Sequence, residues 1–264
     1  MSALRDWPRT ALALIAVAMI GLLGACSDDA DGEAAEGASA APFRVRPLGE
    51  LSGYRFNVDI VMLPEALARA SDLPAGLLEP GDTVNLRVEG TYVAPDREHS
   101  VSSFSLGDLM LTMESTRVGE RRWTRDGEGP WREGSASEVN PLLASRQYHP
   151  ATIFAVDDDF SLEALSERLD AYPYTVEVVN GYTSRYYALT SAEFEVVFQT
   201  GRQILPPEAG PDATWVADLW IAEEQGTPVR LRLTGHNAQG QEILKVDMDM
   251  SDLGATNLEV EPPS

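Results

Sequence analysis

The chain has 264 residues, 44% of them hydrophobic, a single cysteine, and 42 acidic against 20 basic side chains, for a formal net charge of −22. A chain of this kind can bury a sizeable core, which excludes collagen-like, fully disordered and multi-span membrane classes. One cysteine excludes a disulfide framework, and no Lys/Arg cluster is large enough to neutralise a run of phosphates, so no nucleic-acid partner is expected.

The N-terminus carries Arg5 and Arg9, then an uncharged apolar run over 11–23 that closes on Leu23-Gly24-Ala25-Cys26. The run is shorter than the roughly 20 residues needed to cross a bilayer core, so it predicts a secretion signal over 1–26 and not a transmembrane helix. Residues 27–42 hold Asp28, Asp29, Asp31, Glu33 and Glu36 and no basic residue. Such a composition cannot bury enough apolar surface to order itself, and it predicts a disordered acidic tether. Residues 43–264 then form a single domain.

From Phe43 onward the pattern has period two, one dry face and one wet. Tyr54, Phe56, Val58, Ile60 and Met62 alternate with Arg55, Asn57, Asp59 and Val61, and Val84, Leu86 and Val88 alternate with Asn85, Arg87 and Glu89. Leu109, Leu111 and Met113 mark another strand. Trp123 and Trp131 lie in a predicted hairpin with Asp126-Gly127 at its tip, and Asn180-Gly181 marks a second, tight hairpin. Further strands are expected at 215–221, 229–234 and 244–251, the last pair joined by a turn over 236–241. Helices are few. Ser161 caps a predicted helix over 162–172 with Leu165 and Leu169 on one face, and Thr190-Ser191-Ala192-Glu193 is a capping box opening a second helix with Phe194 and Phe198 on one side. Residues 63–71 suggest a short third one.

A meander of roughly nine to eleven strands presents a broad apolar face that two or three short helices must cover. The sheet twists as it grows, so the expected fold class is α+β: a large curved antiparallel sheet, a half-barrel, with the helices on its concave face. The residues expected to line the interior are Phe56, Val58, Ile60, Val84, Leu86, Val88, Leu109, Leu111, Met113, Leu165, Leu169, Phe194 and Phe198, with Trp123 and Trp131 at its rim. From pattern alone, an open cavity and a fully packed core remain equal readings.

Two resemblances sharpen this. Leu23-Gly24-Ala25-Cys26 resembles the bacterial lipobox, which implies cleavage before Cys26 and acylation of its thiol, hence attachment to a cell membrane outside the cytoplasm. Val118-Gly119-Glu120-Arg121-Arg122-Trp123-Thr124-Arg125 followed by Gly129-Pro130-Trp131, Ala217-Asp218-Leu219-Trp220-Ile221 followed by Pro228-Val229-Arg230-Leu231, and the closing Asn257-Leu258-Glu259-Val260-Glu261-Pro262-Pro263 are together similar to the bacterial lipoprotein-carrier superfamily of LolA, LolB, RseB, LppX and LprG. That resemblance covers most of 43–264 and implies a binder of a lipid or lipoprotein acyl chain, carried or presented within the envelope. A sensor or accessory subunit docking an envelope protein partner is the second reading.

A hydrolase is the third. His99, His149 and His236 stand far apart and form no metal-binding spacing, and no Gly-x-Ser-x-Gly or Ser-x-x-Lys occurs, so neither catalytic residues, metal nor cofactor are expected. Adjacent Asp157, Asp158 and Asp159 lack the spaced ligands of a calcium loop and suit a helix start.

Overall fold

The computed structural model describes residues 43–63, 83–134, 150, 162–193 and 214–264. Eleven strands form one antiparallel sheet: β1 Gly53–Met62, β2 Val84–Val93, β3 Arg97–Leu106, β4 Leu109–Val118, β5 Arg121–Asp126, β6 Arg132–Glu133, β7 Thr175–Val179, β8 Tyr182–Thr190, β9 Thr214–Ala222, β10 Pro228–His236 and β11 Glu242–Ser251. Their spatial order is β6-β5-β4-β3-β2-β1-β11-β10-β9-β8-β7. Every neighbour in the sheet is also a neighbour in sequence except at the centre, where the first and last strands pair, Val58 opposite Met248 and Ile60 opposite Val246. The consequence is an open, half-barrel-like sheet whose two edges among the described residues, β6 and β7, are consecutive among the described strands.

Directly opposed residues in an antiparallel ladder share a face. Following the register from β1 outward puts Tyr54, Phe56, Val58, Ile60 and Met62 on one face with Val84, Leu86, Phe104, Leu106 and Met113 on one wing. On the other wing the same face carries Leu244, Val246, Met248, Leu231, Leu233, Ala217, Leu219, Tyr187 and Leu189. These side chains are at most 6% exposed and belong to one core cluster. β3 is the strand that sequence pattern does not reveal, because Ser100, Ser102, Ser103 and Ser105 blur its alternation.

The core face is covered by local structure of several kinds. Helix α1, Leu162–Ala171, buries Leu165 and Leu169, as its spacing predicts. The second capping box forms as expected: the Thr190 backbone N–H and hydroxyl both donate to Glu193 Oε2 at 2.7 Å, and residues 191–193 are helical. Its continuation with Phe194 and Phe198, the expected helix at 63–71 beyond Leu63, the Ser161 cap, the Asp157–Asp159 run and the whole of 1–42 lie outside the described residues. The N-terminal segment crosses the core face before β1, where Val45 N–H donates to Ser166 Oγ at 2.9 Å and Leu48, in a 3-10 turn over Leu48–Glu50, is buried. Arg46 N–H reaches Gly226 O at 2.8 Å in the β9–β10 turn. Gly226 is required there: at φ +67° a Cβ would stand 1.9 Å from the Arg44 carbonyl oxygen.

Candidate functional site

The apolar face is covered unequally. Of the residues expected to line an interior, Phe56, Val58, Ile60, Val84, Leu86, Met113, Leu165 and Leu169 are all buried in the core cluster. Val88 on β2 and Leu111 on β4 pack against that cluster but stay partly exposed, and Leu109, opposite Leu106 on the same face, is 44% exposed. The face is thus fully buried at β1 and opens on β4 at Leu109, although Leu106 opposite it stays buried. On the other wing only the last strand opens: Val176 and Val178 of β7, on the core face by their pairing with Arg185 and Thr183, are 55% and 75% exposed.

Trp123 and Trp131 stand elsewhere than the sequence reading places them. Trp123 pairs with Thr116, three residues along from Met113, so it faces the opposite side of the sheet. It is buried there beneath the Arg121 guanidinium, 4.6 Å from its ring. Trp131 follows the loop that begins at Asp126-Gly127 and sits 4.8 Å from the Arg125 guanidinium, which pairs with Glu114 on that same polar side. The loop is longer than a tight turn, since the first residue to pair beyond it is Arg132. A register fixed by partners in another strand decides the side, and composition does not reveal it.

Basic groups sit on the core face of both wings: Arg117, paired with Glu98 at 3.5 Å, and the more buried Arg185. Arg185, 14% exposed at its side chain, lies between the Phe43 and Tyr174 rings at 4.1 and 4.4 Å. Its Nη1 donates to Asp170 of α1 at 2.7 Å and its Nε to Glu223 at 3.2 Å. Burial works against its charge, but the hydrogen bonds to the two carboxylates outweigh it and raise its pKa above the ordinary value. This clamp ties the N-terminal segment and α1 to β8, so the cover over this wing is held by a charge-assisted network. No local sequence pattern marks it, because its members are spread from Phe43 to Glu223.

The opposite face carries cross-strand ion pairs, Arg230 with Asp249 at 2.6 Å, Arg232 with Asp247 at 3.4 Å and Arg87 with Asp59 at 3.8 Å, and within β2 Arg87 also pairs with Glu89. Trp220 stacks on Tyr186 with ring centres 4.8 Å apart and donates Nε1–H to Glu177 of β7 at 2.8 Å. The Tyr186 hydroxyl donates to Asp218 at 2.7 Å, and that bond, with burial, pushes its pKa up to about 12. An open groove of about 510 Å³ lies on this face, lined among others by Arg55, Glu89, His99, Asn180 and Asp249. Its charges are internally matched: Arg55 with Asp252 at 3.4 Å, Glu89 with Arg87, Asp249 with Arg230, and His99 with Thr116 at 3.0 Å and Glu114 at 3.5 Å.

His99 and His236 lie towards opposite ends of the sheet, since His99 is in register with Arg55 and Ser251 through Thr91, whereas His236 pairs with Glu242. His149 lies outside the described residues. Among the described residues no three His, Cys, Asp or Glu side chains gather as a metal site, and no helix is long and apolar enough to cross a membrane. No protein-family model and no curated protein matches this chain.

Proposed function

We propose that the chain is a membrane-anchored extracytoplasmic lipoprotein that binds a lipid or acyl chain against the core face of its sheet and carries or presents it within the cell envelope. One observation carries the reading: on the core face of the β2–β4 wing Val88 and Leu111 stay partly exposed and Leu109 is 44% exposed, beside buried Val84, Leu86 and Met113. An apolar wall left incompletely covered favours an apolar occupant, worth about 0.8 kcal/mol for each CH₂ it buries, and needs no catalytic group. Attachment through Cys26 rests on the lipobox resemblance of 23–26, and the tether over 27–42 gives the domain a reach of at most about 55 Å from the membrane.

The test is native mass spectrometry of residues 27–264 produced in a bacterial host, before and after organic extraction. A reproducible lipid-sized mass removed by extraction, and lost in Leu86→Trp and Leu111→Trp variants that keep the wild-type melting profile, is the expected result. A bare protein mass under gentle conditions, or cargo retained undiminished in both folded variants, overturns the reading. The anchor is tested separately by metabolic labelling with a radioactive fatty acid, which Cys26→Ala should abolish.

A further inference from the structure

The two edges of the sheet differ. β6 is two residues long, which leaves little to pair with, whereas β7 presents Thr-Val-Glu-Val-Val as a five-residue strand that pairs, among the described residues, with β8 alone. Natural sheets blunt such an edge with proline, an inward charge, a bulge or a cover. β7 has none of the first three: its register with β8 is unbroken from Thr175 to Val179, and its core-face positions are Val176 and Val178.

The hairpin turn decides which backbone groups are available. Asn180 and Gly181 both have positive φ, +53° and +87°, as in a two-residue primed turn, so Val179 and Tyr182 form a hydrogen-bonded pair and the pairs alternate from there. Glu177 and Thr175 then bond to β8, and the N–H and C=O groups of Val176 and Val178 point outward. The alternation agrees with Thr183, opposite Val178, whose carbonyl accepts from Glu223 N–H at 2.9 Å on the far side of β8. Each outward backbone group thus belongs to a valine with an exposed side chain.

The edge is also held in place. Asn180 Nδ2 donates to Val229 O at 3.2 Å and to Met250 O at 3.0 Å, and Glu177 holds Trp220. A strand fixed on its inner side loses little freedom on gaining an outer neighbour.

We propose that β7 is a docking edge for an extended, basic segment of a partner polypeptide, which adds as a further antiparallel strand and alternates apolar with Lys or Arg residues. Its apolar side chains would lie beside Val176 and Val178, and its basic ones on the face of Glu177. Charge selects this occupant. Glu177 is exposed on the face where the basic side chains would lie, on a chain that carries −22 overall. A second copy is disfavoured, because a two-fold axis at Glu177 would oppose Glu177 to itself between two bodies each carrying −22. The proposal is independent of any lipid occupant.

The probe is a short fluorescent peptide of alternating lysine and valine, titrated against the full chain by anisotropy, with an alternating glutamate and valine peptide as control. Saturable binding of the lysine peptide is expected, with affinity reduced at least about tenfold for the glutamate peptide and about tenfold by Val178→Pro, which removes an outward donor without touching the bonds to β8. Slowed amide exchange at Val176 and Val178 should accompany binding. If Val178→Pro does not fold, the exposed pair is tested by Val176→Lys with Val178→Lys, which should repel the basic peptide to the same extent. No saturable binding, equal binding of both peptides, or binding untouched in the folded variants overturns the proposal. A self-association in sedimentation that Val178→Pro dissolves also overturns it, in favour of pairing between copies.

Discussion

The two wings of the sheet are built from the same alternating pattern and end in different states. On the wing from β11 to β8, Val246, Met248, Leu231, Leu219 and Tyr187 are fully buried, and the clamp at Arg185 fastens α1 and the N-terminal segment across it. On the wing from β2 to β4 the cover is broken: Val88 and Leu111 stay partly exposed and Leu109 is open, beside buried Leu86, Phe104 and Met113. The difference teaches that an apolar stripe specifies a face and does not specify its cover. What covers it depends on polar anchors, and the described ones stand on one wing only.

Truncation in the well-covered wing should break the fold most. Leu231→Ala removes a fully buried side chain and is expected to cost about 2–5 kcal/mol, read from the urea midpoint, whereas Leu111→Ala on the other wing should cost less than half as much. Equal losses would dissolve the contrast between the wings. Arg185→Ala should come next, at about 1–3 kcal/mol, since it removes two ring contacts and two carboxylate bonds at once, and proteolysis should then cut near Phe43 sooner than in the wild type. The same variant should leave amide exchange along β2 and β4 unchanged.

Two smaller effects follow from titration. The folded state raises the Tyr186 pKa from 10.0 to about 12, so its contribution is fully present below pH 10.0 and is lost as pH rises through about 12. An alkaline melt should therefore fall in that window, and Tyr186→Phe should flatten it. Glu193 is shifted the other way, held below the ordinary carboxylate value by hydrogen bonds from the Thr190 backbone and hydroxyl. Its contribution is present above pH 4.5 and is lost as pH falls through the lowered value, a shallow acid loss of stability that Glu193→Gln should remove. This is the smallest effect, because it rests on the contacts of Glu193 with Thr190 alone.

Much of the fold is legible residue by residue. The dry positions of β1, β2, β10 and β11, the Asn180-Gly181 turn, the helix that buries Leu165 and Leu169 and the box joining Thr190 to Glu193 are each encoded within a few residues. Of the expected interior, the positions on β1 and β2 share the core face, while Leu109 is left largely open. The sides taken by Trp123 and Trp131 were not legible, because each depends on partners in other parts of the sheet. β3 escaped for a different reason: a serine-rich strand buries Ser102 by position and carries little hydrophobic signal of its own.

By itself the sequence determined the alternation of faces, the tight turns, the helix caps, the acidity and the lipobox-like cysteine, since all of these arise from contacts between near neighbours in the chain or from composition. Only the tertiary structure decided that β1 would lie beside β11, that β6 and β7 would be left as edges, and that Arg185 would gather Phe43, Tyr174, Asp170 and Glu223. Those outcomes depend on pairing residues far apart in sequence, as with Phe56 and Met250, where the gain in buried area must offset a large loop-closure cost and no local pattern records which partner wins.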